Sequence, residues 1–415
     1  MFSIIHSIPL PVKGFLYALV LCLLFMPGII QLLKKQRWFD KPDNRKIHKA
    51  PVPTMGGIVI FISMLIVAIA RPSLMTPDVI IVLMAALVLF ITGIYDDLRD
   101  LRARTKLYIQ IVAATAIVFY GIRVEGLQII GIENFSWPVS AMLSIFCIVF
   151  FINAFNLIDG VDGLAGGLSI ISLSAFSVLF YFAHAYDFAF LSAALAGSCL
   201  GFLFFNFNPA RIFMGDTGSL TIGFFLAVFT IHAIQLPENI FYASFKINSF
   251  SVAFALIFLP SLDAARVFTT RIIKGISAFK PDRTHIHHLM LDAGMNHKST
   301  SLTFYGMQIL ILSLAVFPQS LPLLEIIFGI LILATITFET IQIVNYKKQF
   351  VATLAHIETD TKVPISVQNK IMNKPEIKLN GKSFAYLENR TAIKISSRKT
   401  EKIIETEKLL AGTKV

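Results

Sequence analysis

Apolar runs of about 17 to 25 residues follow one another along most of the chain, each long enough to cross the ~30 Å hydrocarbon core of a bilayer as a helix. Length alone places them near residues 14–33, 56–75, 78–95, 106–122, 137–156, 163–183, 187–207, 217–236, 247–270, 302–318 and 322–345. The pattern predicts an all-α integral membrane protein, a bundle of about eleven transmembrane helices. The first run is followed by further spans and not by a small-residue cleavage site, so it is read as a permanent anchor. Beyond Tyr346 the texture changes to mixed polar residues with Pro364, Pro375 and short alternating stretches at 377–379 and 392–395. Residues 1–346 are therefore expected to form the membrane domain, and residues 347–415 a basic tail that is disordered or folds as a small β-rich appendage.

Composition strengthens the membrane assignment. Hydrophobic residues make up 56% of the chain, with 38 Phe, far beyond soluble globular proteins. Cys22, Cys147 and Cys199 all lie inside apolar runs and are odd in number, which supports neither a disulfide framework nor a thiolate metal site. The net charge of +11 does not mark a nucleic-acid binder, because the segment after Tyr346 holds 14 Lys and Arg against 7 acids. In the membrane part the basic residues follow a parity. Lys34, Lys35, Arg37, Lys41, Arg45, Lys46 and Lys49 follow the first span, Arg99, Arg102, Arg104 and Lys106 the third, and Arg271, Lys274, Lys280, Arg283 and Lys298 the ninth. The alternate loops hold little beyond Arg71, Arg123 and Lys246. By the positive-inside rule the basic loops and the tail are cytoplasmic and the amino terminus is outside.

Four polar clusters fall on that same side: Asp96-Asp97, the stretch N-A-F-N-L-I-D-G-V-D-G from Asn153 to Gly163, Phe213-Met214-Gly215-Asp216, and His285-Ile286-His287-His288. Their shared side argues for one composite site at helix ends, where a carboxylate escapes the ~2.5 to 3.5 kcal/mol it costs at mid-bilayer. In the second cluster Asn153, Asn156, Asp159 and Asp162 recur every third residue, roughly one helix face, while Gly160 and Gly163 indicate that the helix breaks there. A polar turn needs one Asn or Asp and a glycine; four amides and carboxylates without a cation call for a metal or a base.

Adjacent carboxylates at Asp96 and Asp97 likewise need a compensating cation or a role as a helix stop. Oxygen donors such as Asn156 and Asp216 suit Mg²⁺ better than zinc, although Asp216 alone also reads as an N-cap for the eighth span. The histidine cluster lacks the Glu of a zinc H-E-x-x-H site and is flanked by Lys280 and Arg283, which favours phosphate over metal. Arg271 adds a fork-shaped donor suited to a pyrophosphate. Oxygen ligands facing Arg and His describe phosphoryl transfer. Gly56-Gly57, after Pro51-Val52-Pro53-Thr54, reads either as a close backbone approach or as a packing pair. Without a Walker loop or G-x-G-x-x-G, nucleotide phosphate would have to be held by metal and cations.

Asp96-Asp97, N-A-F-N-L-I-D-G-V-D-G, N-P-A-R-I-F-M-G-D-T-G-S and P-D-R-T-H-I-H-H, taken together and in order, resemble the polyprenyl-phosphate N-acetylhexosamine-1-phosphate transferase family. The resemblance runs from about Asp40 to Leu291, with matching topology to about residue 345. The last motif is similar to the branch that uses UDP-N-acetylglucosamine. It implies attack by undecaprenyl phosphate on the β-phosphate of a UDP-N-acetylhexosamine with Mg²⁺, or Mn²⁺ in its place, releasing UMP as the first membrane step of cell-surface glycan synthesis.

The resemblance also implies roles. Asn156 and Asp216 would hold the metal, Asp96 would deprotonate or position the lipid phosphate, and Asp97 and Asp159 would support that centre. Phe213 would stack on uracil, with Gly160 and Asp162 at its edge and Asn153 on the substrate side of the same stretch. Lys49 and Lys106 would pair with phosphate, and Arg271, Arg283, His285, His287 and His288 would sit by the diphosphate and sugar. The implied setting is the bacterial inner membrane, with a homodimer as an admissible assembly and no nucleic acid. The competing reading from another class is a secondary transporter of an anionic substrate, which would place ionisable residues near mid-bilayer; a third is a scaffold presenting its basic tail.

Overall fold

The computed structural model describes residues 8–40, 51–127, 131–236, 239–242, 245–273, 275, 284–316, 329, 376–379 and 382–385. Lys49, Lys280, Arg283, most of the predicted eleventh span and most of the tail lie outside them. The chain divides into two compact units, Met1–Phe338 and Glu339–Val415.

The first unit is helical. Among the described residues its helices are α1 (Leu10–Gln36), α2 (Gly57–Ile69), α3 (Pro77–Arg99), α4 (Ala103–Tyr120), α5 (Trp137–Ile158), α6 (Leu164–Phe182), α7 (Tyr186–Asn206), α8 (Gly215–Ile234), α9 (Ser249–Ile273), the short α10 (Ile286–Asp292) and α11 (His297–Val316). Eight of them, α1, α3 and α5 to α9 with α11, are long and apolar enough to cross a membrane. The ten predicted spans that fall on described residues all coincide with a helix, but α2 has only 13 residues and ends in a 3₁₀ turn at Pro72–Leu74. Pro72 cuts that run short, because it cannot continue a helix from the preceding turn and disfavours helical backbone at Arg71; Pro77 then opens α3.

Two short antiparallel ribbons of the first unit were not legible from hydropathy, whereas the alternating stretch at 377–379 in the tail does form a strand. β1 (Phe39–Asp40) pairs with β2 (Val52–Pro53), and β3 (Asn239–Tyr242) with β4 (Phe245–Asn248) between α8 and α9. In the second unit β5 (Glu376–Leu379) pairs with β6 (Lys382–Ala385). Cys22, Cys147 and Cys199 are free thiols.

The organising element is α8. It is apolar on every side, and such a helix is stable only when surrounded; nearly all its residues are buried, and it packs on α2, α3, α5, α6 and α9. Two glycines set how closely its first turn is approached. A Cβ on Gly57 would lie 2.1 Å from the Gly218 amide nitrogen, and one on Gly93 would lie 2.4 Å from the Thr217 Cα. Gly56 N–H and Gly57 N–H donate to the carbonyls of Phe213 (2.8 Å) and Met214 (3.0 Å), and Phe213 N–H donates to the Pro53 carbonyl (2.8 Å). Gly56-Gly57 is thus both a packing pair and a backbone clamp on the segment leading into α8.

Candidate active site

The residue before α8, Met214, has no side chain able to cap the helix, and the exposed N–H groups of the first turn need an acceptor. Asp97, from the end of α3, supplies it. Its Oδ1 accepts from the Asp216 amide (2.9 Å), and its Oδ2 accepts from the Thr217 amide (3.0 Å) and the Thr217 hydroxyl (2.6 Å). A carboxylate is favoured there by the helix dipole as well. Asp216 is therefore the second residue of α8 and not its cap, which corrects that reading. The capping also explains how Asp96 and Asp97 coexist as neighbours. Asp96 turns the other way, accepting from Lys106 Nζ at 2.5 Å and the Leu101 amide at 2.6 Å.

Lys106, near the start of α4, donates a second time to Asp216 Oδ2 at 2.7 Å. Asn156, in the last turn of α5, donates from Nδ2 to Asp216 Oδ1 at 3.0 Å and to Ser219 Oγ at 2.7 Å. The consecutive helices α3, α4 and α5 thus meet the distant α8 through one ammonium and two amide contacts. Just past α5, the Asp159 carboxylate meets no hydrogen-bond donor among the described residues. Burial, then the charges of Asp216, Asp97 and Asp162, pushes it up to about 7. The cluster holds more negative charge than Lys106 offsets.

That surplus is the test of a metal. Among the described residues no three His, Cys, Asp or Glu side chains form a ready-made cage. Mg²⁺ does not need one, since it takes one or two carboxylates and completes its shell with water and phosphate. Asp216 and Asn156, with the amide turned to present its oxygen, form a hard donor pair of that kind, and the donor set fits the ion.

The remaining sequence candidates separate into distinct places. Asn153 does not face the cluster: its Nδ2 donates to Gln110 Oε1 (2.6 Å) on α4 and to the Val149 carbonyl (2.7 Å). Asp162 is buried, and its Oδ2 accepts from Asn208 Nδ2 (2.8 Å) and the Ala210 amide (3.1 Å), with His297 Nδ1 3.3 Å from Oδ1. Burial would raise its carboxyl, but His297, Asn208 and the Ala210 amide hold it below the usual range. Both side chains, read as substrate contacts, are engaged within the protein here. Arg271 is buried near the end of α9.

The histidines are joined to the carboxylate region through Gly160, where a Cβ would lie 2.7 Å from His287 Nε2. His285 is buried and shares a hydrogen bond of 2.8 Å between its Nδ1 and Asp263 Oδ2. Asp263 Oδ1 accepts from the Ile286 amide (3.0 Å) and Arg266 (3.0 Å). A carboxylate on Nδ1 selects the tautomer whose Nε2 is left to face a ligand. Asp263 escaped the sequence reading although its signal was present: it is a carboxylate inside the ninth apolar run, and such a residue is functional by default. Ser219, Gln110, Asn208 and His297 carried no comparable signal.

His287 is buried, and burial, then the neighbouring His288, lowers its pKa from 6.5 to about 3, with Asp263 opposing. Between those values the unfolded chain binds a proton that the folded chain refuses, so the folded state loses stability as pH falls from about 6.5 toward 3. Replacing His287 by Asn is expected to flatten that acid limb, seen as a smaller drop in unfolding temperature between pH 7.5 and 5.5 than in the unaltered protein. Equal drops would mean His287 is not held neutral.

Residues 79–234, which contain α8 and all four carboxylates of the cluster, match glycosyl transferase family 4. A protein of Bacillus subtilis (strain 168), named probable undecaprenyl-phosphate N-acetylglucosaminyl 1-phosphate transferase, is 32% identical over 341 residues, covering 81% of this chain and 93% of its own length. The chain belongs to this family. The decaprenyl-phosphate N-acetylglucosaminephosphotransferase of Mycobacterium leprae is 35% identical over 288 residues, 64% of this chain and 72% of its own. The undecaprenyl-phosphate alpha-N-acetylglucosaminyl 1-phosphate transferase of Escherichia coli (strain K12) is 31% identical over 286 residues, 66% and 75% respectively. Asp263 and His285 to His288 lie C-terminal to the segment that matches the family.

Proposed function

We infer that the protein transfers N-acetylglucosamine 1-phosphate from UDP-N-acetylglucosamine to a polyprenyl phosphate of the undecaprenyl class, releasing UMP. The observation that carries this reading is the meeting of Asp96, Lys106, Asn156 and Asp216 at the N-terminus of α8, in a chain whose relatives are named for that transfer. An oxygen of the lipid phosphate forms a bond to the β-phosphorus of the sugar nucleotide as the bond from that phosphorus to the bridging oxygen breaks. The leaving group is UMP, and the lipid keeps the sugar on a diphosphate.

Two anionic phosphates must approach, so their repulsion is a large part of the barrier, and preorganised positive charge lowers it. Asp216 and Asn156 would hold Mg²⁺, with Mn²⁺ as a substitute; bound there, the ion neutralises phosphate charge and orients the diphosphate. Lys106 offsets the cluster and is placed to pass one of its hydrogen bonds from Asp216 to a phosphate oxygen. Asp96 orients the lipid phosphate or takes its proton, and Asp159 supports that centre. Asp97 positions Asp216 through the helix start. His285, oriented by Asp263, would accept at Nε2 from a sugar hydroxyl, with His287 and His288 beside it in sequence and Arg271, Lys49 and Arg283 as cations for the diphosphate. Phe213 and Gly160 are the candidates for uracil.

On this reading the site and the basic loops face the cytoplasm, the amino terminus lies outside, and the host membrane is the bacterial plasma membrane. Residues 1–346 carry the catalysis and the cytoplasmic segment 347–415 is accessory, with about eleven spans in all. A transporter would place its ionisable residues near mid-bilayer, whereas Asp96, Asp97, Asn156 and Asp216 sit in the first or last turns of their helices. Purified protein given UDP-N-acetylglucosamine, undecaprenyl phosphate and Mg²⁺ is expected to release UMP, and to stop when EDTA removes the metal. Absence of UMP release alongside substrate exchange across vesicles would reject the transferase.

A further inference from the structure

The loop from Asp159 to Gly163 lies outside any helix, yet it carries Asp159 to the carboxylate cluster and Gly160 to His287. Helix α11, C-terminal to the segment that matches the family, has no part in the reaction described above. Along it His297, Ser301 and Tyr305 recur at i, i+4 and i+8, one stripe of the helix. All three reach consecutive residues of that loop. His297 Nδ1 lies 3.3 Å from both the amide nitrogen and Oδ1 of Asp162. The Ser301 hydroxyl donates to the Asp162 carbonyl at 2.8 Å, and the Tyr305 hydroxyl donates to the Gly163 carbonyl at 2.5 Å.

Satisfying buried backbone groups does not by itself account for this stripe. The Gly163 carbonyl already accepts from the Gly167 amide at 2.9 Å, so the Tyr305 bond is additional. Space for the Tyr305 ring is made by Gly167, where a Cβ would lie 2.0 Å from a ring carbon. From the end of α7 and the segment after it, Asn206 Oδ1 accepts from the Gly163 amide at 2.9 Å, and Asn208 and Ala210 hold the Asp162 carboxylate. The loop is thus held by two separate segments of the chain just where it leaves the cluster.

We propose that α11 is a splint for the Asp159–Gly163 loop, with His297, Ser301 and Tyr305 as positioning residues that keep Asp159 and Gly160 in register with Asp216 and His287. The proposal rests on the transfer reaction inferred above for its kinetic consequence, but the bracing itself is measurable without it.

Tyr305→Phe keeps the ring and removes only the hydroxyl; Ser301→Ala removes a second bond; Thr303→Ala, whose hydroxyl bonds only within α11 on its exposed side, is the control. In the full-length protein, amide hydrogen exchange over residues 159–164 is expected to quicken in Tyr305→Phe and Ser301→Ala and not in Thr303→Ala. The kcat for UMP release should fall about tenfold, short of the roughly hundredfold loss that a 1 Å misplacement brings. KM for the sugar nucleotide and the unfolding temperature should stay near those of the unaltered protein. Unchanged loop exchange overturns the proposal, as does quickened exchange with undiminished kcat, or a kcat that falls only in step with unfolding temperature. Should the unaltered protein release no UMP, the reaction reading fails, and the exchange measurement still decides whether α11 holds the loop.

Discussion

Asp216→Asn is expected to lower UMP release by about 10³-fold or more, the upper range for removing one electrostatic contact from a reacting centre. The change deletes a charge and little else. The start of α8 is held by Asp97 through the backbone amides of residues 216 and 217 and the Thr217 hydroxyl, none of which depends on the Asp216 side chain. An amide at this position can still accept from Asn156. What disappears is the anionic oxygen that pairs with Lys106 and would bind the metal. The variant should unfold at a temperature close to that of the unaltered protein, and raising Mg²⁺ should not restore turnover. Near-normal turnover with an unchanged Mg²⁺ dependence would remove Asp216 from the metal site.

Gly57→Ala is expected to be strongly damaging for a single-methyl change, through the backbone and not the chemistry. The added carbon would sit 2.1 Å from the Gly218 nitrogen and 2.3 Å from its Cα, atoms of a fully surrounded helix that cannot rotate aside. Overpacking of this kind costs about 1 to 3 kcal/mol and more where backbone must shift. Relief requires α2 to move off α8, which strains the hydrogen bonds from Gly56 and Gly57 to Phe213 and Met214. The same segment leads into Asp216, so lost turnover should accompany a lowered unfolding temperature. Gly28→Ala in α1, where the new methyl meets nothing within 4 Å, is the matched control and should be neutral or stabilising. Equal stability of the two variants would show that the α2–α8 approach is looser than the distances indicate.

The site was legible in the sequence to an uneven degree. Asp96, Asn156, Asp159 and Asp216 were singled out from residue type and position at span ends, Lys106 only through the family resemblance, and the fold brings them to one helix end. Asn153 and Asp162 carried the same signal as their neighbours, three residues apart. The helix ends at Ile158, so Asp162 leaves that face and enters a separate buried network, while Asn153, within the helix and one turn before Asn156, is taken up by Gln110 on the neighbouring α4. Asp263 was not legible as part of a cluster, because it stands alone in its apolar run and its partner His285 lies 22 residues away. Hydropathy overestimated α2, since a run of apolar composition continues through Pro72, before which the helix stops.

By itself the sequence determined that this is a helical membrane protein and which chemical groups gather on one side. Both follow from local rules: bilayer thickness sets the length of apolar runs, and the expense of burying charge drives carboxylates to their ends. The division of labour among those carboxylates was decided only by tertiary structure. Asp97 became a cap because α8 arrives with bare N–H groups, Asp96 and Asp216 became a pair because Lys106 reaches both, and Asp162 became an anchor because α11 lies behind it. Which donor meets which acceptor depends on contacts between helices far apart in the chain, and no local pattern encodes them.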